Sequence, residues 1–259
     1  MSEPLPQYTS PPVVETALGV EFAQLRGWNV VHFGVLWERF KDRYPRFEVH
    51  PFILSAIANE FSLQDPPLRC FFLDKDGSQL VQIRSGALVR NWRAMPQNHI
   101  YPRYATIRPS FEVDYQIFEK FLDDFGLSPL EAWKCEVTYI NHFLNGREWD
   151  DLSSLCRILP MLSPDRLSGL FNDLSHARFA FGFQLPEDTG SLQVELLPVL
   201  SPEGRQIMQL SLTAVGRPHG SDLASIVEWF DKGHYAVVKG FSQFTSVEIQ
   251  EEYWGLECR

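Results

Sequence analysis

The sequence has few of the features that mark secreted or membrane-spanning proteins. It contains only four cysteines in 259 residues, widely scattered and without a C-x-x-C pair. Its first 12 residues carry neither the basic nor the apolar segment of a secretory signal, and no apolar run approaches the roughly 18 residues that a membrane span requires. Cysteines in this setting are typical of reduced intracellular thiols. We therefore expect a cytoplasmic protein that contacts no membrane.

Positive charge is also scarce over most of the chain. There are 23 Lys and Arg residues against 33 Asp and Glu residues, so the formal net charge is −10. This balance repels the phosphates of nucleic acids. It disfavours a nucleic acid or nucleotide as the partner, although a local basic patch could still bind one. Nothing in the pattern specifies an oligomeric state.

The familiar signatures of catalysis and cofactor binding are missing from the sequence. It has no G-x-S-x-G elbow, P-loop, G-x-G-x-x-G or H-E-x-x-H pattern. No two histidines lie within five residues of one another, which removes the commonest local zinc motifs. Residues 74–77, Asp-Lys-Asp-Gly, lack the distal Glu of an EF-hand and favour a hairpin turn. We therefore expect no cofactor and no metal, and we assign no catalytic residue.

The patterns that are present predict both strands and helices. Apolar and polar residues alternate, as is typical of half-buried strands, in residues 14–22, 135–142, 179–183, 192–196 and 208–214 and on both sides of the 74–77 turn. Residues 186–190, Pro-Glu-Asp-Thr-Gly, predict a turn between the third and fourth of these strands. Apolar residues at steps of three and four predict helices at 35–44, at 111–125 and from 221 or 222 to 241. Capping patterns at Ser128 and Thr245 predict two further helices, and residues 50–61 are compatible with either helix or strand.

This order of elements indicates an α+β fold with mainly antiparallel sheets and long amphipathic helices packed on one face. We interpret residues 1–12 as a flexible lead-in and 13–145 as an N-terminal α+β half. Residues 146–176 form a connector in which two short helices are expected, and residues 177–259 form a C-terminal α+β half. No internal repeat is strong enough to relate the two halves.

One region reverses the charge of the rest of the chain. Between Arg69 and Arg108 there are seven basic residues and only two acidic ones, with aromatic residues among the arginines. The candidate residues for partner or ligand binding here are Arg84, Arg90, Trp92, Arg93, Tyr101, Arg103, Tyr104 and Arg108. Arginine offers a planar fork of donors and stacks on aromatic rings, which suits carboxylates, phosphates or an acidic protein surface. Grooves for single-stranded nucleic acid use a similar mixture. Alternatively, these arginines form internal salt bridges with the acidic excess of the second half.

A second candidate site lies on the strand predicted at 135–142. Glu136 and His142 would project from one face of this strand, and a Glu with a His can serve as acid and base. A strand Glu more often pairs with an Arg on the neighbouring strand. Asn141 and His234 complete this possible polar site. His234 lies on the apolar stripe of the last long helix, which favours a hydrogen-bonded core histidine over a ligand.

Several segments together resemble a known family. They are the Pro-Pro-Val-Val-Glu opening at 11–15, Trp92 with Tyr101 and Tyr104, the Glu-Val-Thr-Tyr-Ile-Asn strand at 136–141, and the Trp229-x-Asp231-x-x-His234 helix with Trp254-Gly255. Over nearly its whole length the chain resembles a sporadically distributed bacterial family of uncharacterised proteins of similar size. The patchy distribution of that family implies a role in toxin–antitoxin or anti-phage defence systems, and the resemblance supplies no catalytic residues.

Three functions follow, in order of preference. The first is a non-catalytic binding or regulatory component that docks an anionic or protein partner through the Arg and aromatic residues. The second is an enzyme of unrecognised class that acts on a phosphorylated or anionic small molecule, with the same arginines and Glu136 or His142. The third is a nucleic-acid-binding protein, which the overall acidity disfavours.

Overall fold

The computed structural model describes residues 4–51, 68–151, 154–162, 177–201 and 203–258, and within these ranges the chain has the expected α+β fold. The strands are β1 (Gln7–Tyr8), β2 (Val13–Phe22), β3 (Arg46–Pro51), β4 (Leu68–Leu73), β5 (Gln79–Arg84), β6 (Ala87–Arg93), β7 (Ala132–Leu144), β8 (Phe179–Leu185), β9 (Gly190–Leu200), β10 (Gln206–Gly216) and β11 (Leu256–Cys258). The helices are α1 (Val30–Phe40), α2 (Tyr104–Asp124), α3 (Leu155–Ile158), α4 (Leu223–Phe244) and α5 (Val247–Trp254).

The chain divides into two compact units that interleave along the sequence. The first unit comprises Ala17–Glu136 and Arg217–Phe230. The second comprises Met1–Thr16, Val137–Gly216 and Asp231–Arg259. β2, β7 and α4 each begin in one unit and end in the other. The units therefore differ from the contiguous halves expected at 13–145 and 177–259, because single strands and helices supply residues to both.

In the first unit the strand order is β3-β4-β5-β6-β2-β7, and β3 to β6 form an antiparallel meander. The turn expected at residues 74–77 joins β4 to β5, with Gly77 at φ +80°, a left-handed conformation that favours glycine. α1 packs on α2 and β4, and α2 packs on β6. The core of this unit is rich in aromatic side chains, and Phe40, Phe72, Trp92, Phe111 and Phe118 are fully buried.

The two helices of this unit follow the apolar periodicity of the sequence. α1 begins five residues earlier than expected, because a capping box at Asn29 starts it: the Asn29 side chain accepts a bond from the Val31 amide, and the His32 ring accepts one from the Asn29 amide. In α2, the residues at steps of three and four from Phe111 to Leu122 are buried, as the periodicity predicts.

In the second unit the strand order is β2-β7-β10-β9-β8, and β8 and β10 both pair with β9 in antiparallel register. β1 and β11 form a separate antiparallel pair. The second-unit part of α4 lies close to β9 and β10 at Gly240. A Cβ atom added there would lie 2.8 Å from Leu192 Cδ2, so the glycine allows this close approach.

The helix predicted at Ser128 is wrong. Residues 127–131 have no regular structure, and β7 begins at Ala132. The Ser128 hydroxyl accepts a bond from the amide of Arg26 instead of capping a helix. The chain therefore passes directly from the end of α2 to β7.

The final helix forms, but its cap is Ser246 and not Thr245. Ser246 Oγ accepts a bond from the Ile249 amide, whereas Thr245 donates its hydroxyl proton to the Phe241 carbonyl at the end of α4. Of the connector at 146–176, the structure describes only the short helix α3 and its flanks. The other connector helix, expected to begin at Ser163-Pro164 because this pair repeats the Ser-Pro pattern at 128–129, lies outside the described ranges, as do nearly all of residues 50–61. None of the helices in those ranges is both long and apolar enough to cross a membrane.

Candidate functional site

The Arg and aromatic residues singled out in the sequence are divided between the interior and the surface of the first unit. Arg84 donates to Glu21 at 2.8 Å, and Arg90 is buried against Asp114. Trp92 is fully buried, and Arg93 donates through Nε to the Gly77 carbonyl at 2.8 Å. Internal pairing, the alternative left open by the sequence, therefore holds for three of the five candidate arginines, Arg84, Arg90 and Arg108. Their carboxylate partners belong to the same unit and not to the expected C-terminal half.

Asp114 is the centre of a buried charged cluster. Its carboxylate accepts bonds from Arg90 and from the Tyr44 hydroxyl, each at 2.8 Å, and it also pairs with Arg43. Arg90 donates in addition to Gln79 at 2.6 Å. Two guanidinium groups thus face one carboxylate whose side chain has no exposed surface.

The electrostatics of this cluster are set by desolvation. Burial raises the pKa of Asp114 to about 6, although Arg90 and Arg43 both favour the ionised form. Burial also lowers the pKa of Arg90. Asp114 is not among the candidate residues that the sequence indicates. Its place on the apolar stripe of α2, three residues after Phe111 and four before Phe118, is the signal that could have indicated a buried carboxylate with a cationic partner.

The surface part of the set is the segment that leads into α2. We call Ile100, Tyr101, Arg103, Tyr104 and Arg108 the Arg–aromatic surface. Ile100 is 75% exposed, Arg103 is exposed, and the other three side chains are half-buried. Tyr101 packs on the buried Trp92 with ring centroids 5.4 Å apart, and the Arg103 guanidinium lies 5.7 Å from the centre of the Tyr101 ring. Arg108 pairs with Glu112 one turn along the helix at 3.5 Å.

Arg103 has an unusual backbone. Its φ of 71° lies in the region that favours glycine, and three non-glycine residues in the described part of the chain share this feature. The other two, Glu187 and Asp188, are in the hairpin turn between β8 and β9, where positive φ is normal. Arg103 instead precedes α2 as its N-cap and makes no side-chain capping bond. Strain of this kind is concentrated at binding and active sites.

The candidates on β7 do not form one group. Asn141 is buried and donates to the Leu210 carbonyl at 3.2 Å, whereas His142 is half-buried on the opposite face of the strand and bonds to Gln209 at 3.2 Å. Burial lowers the pKa of His142, although the bond to Gln209 opposes this effect. Glu136, in the first-unit part of β7, is half-buried.

His234 is a half-buried residue of the second unit. Its Nδ1 atom lies 3.0 Å from the Tyr139 hydroxyl, and the two rings are 5.8 Å apart. Burial lowers the pKa of His234 to about 4, so the ring is neutral at physiological pH. The ring is therefore a neutral, hydrogen-bonded and half-buried side chain.

Residues at the start of α4 are arranged like the Ser-His-carboxylate triad of hydrolases. None of them is among the candidates that the sequence indicates. Ser225 Oγ lies 3.0 Å from His219 Nε2, and His219 Nδ1 lies 3.5 Å from a Glu228 carboxylate oxygen. However, Ser225 donates its hydroxyl proton to Asp222 at 2.8 Å, and its amide donates to the same carboxylate. A buried serine whose proton is held by Asp222 is not poised to transfer it to His219. We interpret this group as the cap of α4.

Thiol and metal chemistry find no support in the described ranges. Burial raises the pKa of both Cys70 and Cys135 to about 12, which makes these thiols poor nucleophiles. Cys156 is also a thiol rather than half of a disulfide. Among the residues that the structure describes, no three His, Cys, Asp or Glu side chains are grouped so that they could hold a metal ion.

In comparisons with known proteins, no protein-family model matches the chain and no curated protein matches it.

Proposed function

We propose that this protein is a non-catalytic binding or regulatory component that docks an acidic protein partner through the Arg–aromatic surface. The observation that carries the proposal is the strained backbone of Arg103, at φ 71°, in a segment where Ile100 is 75% exposed. Local folding does not require an arginine at this position, because glycine would adopt the same conformation without strain. The strained backbone holds the exposed Arg103 guanidinium beside the Tyr101 ring, where it can meet a carboxylate of a partner.

The composition of the surface suits a protein partner. Tyr101 rests on the buried Trp92, so its ring is held in place before binding, and a rigid aromatic side chain loses little entropy in an interface. Arg103 and Arg108 can offer paired donors to carboxylates. Arg103 is an exposed positive charge on a chain whose net charge is −10, and complementary charge favours an acidic partner over a neutral one.

The setting of this function is also part of the proposal. A cytoplasmic location is supported by the thiol state of Cys70, Cys135 and Cys156. Membership in a bacterial toxin–antitoxin or anti-phage defence system is supported by the resemblance of segments such as 136–141 to a sporadically distributed bacterial family.

A single substitution can separate binding from stability. Arg103→Gly relieves the strain at φ 71° and should raise the free energy of unfolding by about 1 kcal/mol. The same change should weaken binding of a fluorescein-labelled oligo-glutamate peptide, measured by anisotropy, by tenfold or more. A destabilised Arg103→Gly protein, or one that binds the peptide as wild type does, would contradict the proposal.

Two controls define the surface and the class of partner. Arg103→Glu combined with Arg108→Glu should abolish peptide binding, whereas Arg205→Glu, an exposed arginine near the turn between β9 and β10, should leave it unchanged. A labelled single-stranded oligonucleotide is titrated in parallel at several salt concentrations. Tighter binding of the oligonucleotide than of the peptide, with a steep salt dependence, would favour nucleic-acid binding instead.

A further inference from the structure

β8 is an edge strand of the second unit that lacks the usual protection of such edges. Among the described strands it pairs only with β9, and the pairing runs through all seven of its residues without a bulge. Natural edge strands commonly carry charges, prolines or bulges that prevent pairing with another chain. The sequence of β8, FAFGFQL, has no charged residue and no proline. Among the residues that the structure describes, no strand pairs with its outer edge, so this edge can accept a further strand.

The apolar side chains of β8 are incompletely covered. Phe179, Phe181 and Phe183 occupy alternate positions and so share one face of the strand. Phe183 stacks on Phe244 of α4 with centroids 5.1 Å apart and is still 38% exposed, and the other two are half-buried. A strand added at this edge would cover the three rings and remove apolar surface from water.

The two ends of β8 carry opposite charges. Arg178 lies immediately before the strand, bonds to Glu195 and keeps 66% of its side chain exposed. Glu187 and Asp188 lie in the turn after the strand and are exposed. In an antiparallel pair of identical strands, each positive end meets the negative end of the other copy, whereas a parallel pair would place like charges together.

We propose that β8 is a self-association edge, at which two copies of this chain pair antiparallel about a two-fold axis at Gly182. This register sets Phe181 of each copy opposite Phe183 of the other and brings Arg178 beside Glu187 of the other copy. The centre is sterically open, since a Cβ atom added at Gly182 would meet nothing within 4 Å. An isologous dimer of this kind uses the same strand from both subunits. Because the two ends of β8 carry opposite charges, a second copy of this chain is the partner strand that they favour.

Charged side chains introduced at position 182 test the proposed register of the two β8 strands. Gly182→Lys and Gly182→Glu each place two like charges opposite one another at the two-fold axis, which disfavours strand pairing. In sedimentation velocity at micromolar concentrations, the wild type should be a dimer and each variant alone a monomer. An equimolar mixture of the two variants should form a heterodimer, because Lys then faces Glu.

The matched control is Gln193→Lys, an exposed position on β9 that pairs directly with Gly182 but lies one strand away from the edge. It should remain a dimer. Far-UV circular dichroism and the urea midpoint establish that every variant is folded. A wild type that is monomeric across the concentration range, or a folded Gly182→Lys variant that remains a dimer, overturns the proposal. Arg103→Glu should also stay dimeric, which separates this edge from the Arg–aromatic surface.

Discussion

Single side chains in this protein show how burial changes residues that would be reactive in water. Cys135 and His234 both have side chains that can act in catalysis. In the folded chain, burial raises the pKa of the Cys135 thiol to about 12 and lowers the pKa of the His234 imidazole to about 4. At neutral pH both groups are therefore uncharged. Because their pKa values differ from those of exposed groups, their titration affects the stability of the fold.

His234 should make stability sensitive to acid. The pKa of its imidazole is about 4 in the folded protein and roughly 6.5 in an unfolded chain. Between these values the unfolded state binds more protons, so the free energy of unfolding falls as the pH is lowered from 6.5 to 4. The full difference corresponds to about 3 kcal/mol. Urea unfolding at pH 7 and pH 4 should show that His234→Gln loses less stability than the wild type, by up to this amount.

Two glutamine variants separate the protonation of the His234 ring from that of an exposed histidine. In His234→Gln, the introduced amide can still bond to the Tyr139 hydroxyl but takes up no proton in this range. His99→Gln, at an exposed position, should retain the wild-type dependence on pH. If the wild type and His234→Gln lose stability in parallel between pH 7 and pH 4, the His234 imidazole is not the neutral group described here.

At the scale of helices and strands, long periodic patterns predicted the elements, whereas a single capping pattern at Ser128 predicted a helix that does not form. α2 and β7 follow steps of three and four or strict alternation over many residues, so the burial of one face determines each element. The helix expected at Ser128 depended on one capping pattern, and the bond from the Arg26 amide to Ser128 replaced it. The contact between Arg90 and Asp114 joins β6 to α2 across 24 residues. Periodicity carries no information about that pairing.

The cluster around Asp114 should stabilise the packing of β6 and α2 in a non-additive way. Arg90→Met leaves a buried carboxylate with only the partly exposed Arg43 as a charged partner, and we expect a loss of about 3–5 kcal/mol. Asp114→Leu leaves the buried Arg90 guanidinium without its carboxylate partner and should lower the free energy of unfolding by a similar amount. The double variant removes both buried charges, so it should be destabilised by much less than the sum of the single losses.

Chemical denaturation of the four proteins in this double-mutant cycle measures the coupling between Arg90 and Asp114. Lys41→Met, which removes an exposed cation near the end of α1, serves as the control and should change the free energy of unfolding by less than about 1 kcal/mol. Additive losses from Arg90→Met and Asp114→Leu would show that the two groups are not a coupled buried pair.

For the whole molecule, the order of elements in the sequence differs from their grouping in space. With a boundary near residue 145, each half would be one continuous segment of the chain. The first unit, however, also includes Arg217–Phe230. In that unit Phe230 packs edge-to-face on Phe111 with ring centroids 4.8 Å apart, and both rings are fully buried. Hydrophobic periodicity indicates which face of an element is buried, but not which distant element covers it. This grouping was therefore beyond what the sequence pattern could predict.

A chain cut at the expected boundary should not fold cooperatively. The fragment 1–145 lacks Arg217–Phe230, so the ring of Phe111 loses Phe230 as a neighbour and apolar surface remains exposed. We expect this fragment to bind the dye ANS and to show no sharp urea transition, as is typical of loosely packed states. Addition of the fragment 146–259 supplies the missing segment and should restore a cooperative transition. A sharp transition of 1–145 alone, with a midpoint that 146–259 does not change, would establish the contiguous halves as the folding units in place of the interleaved ones.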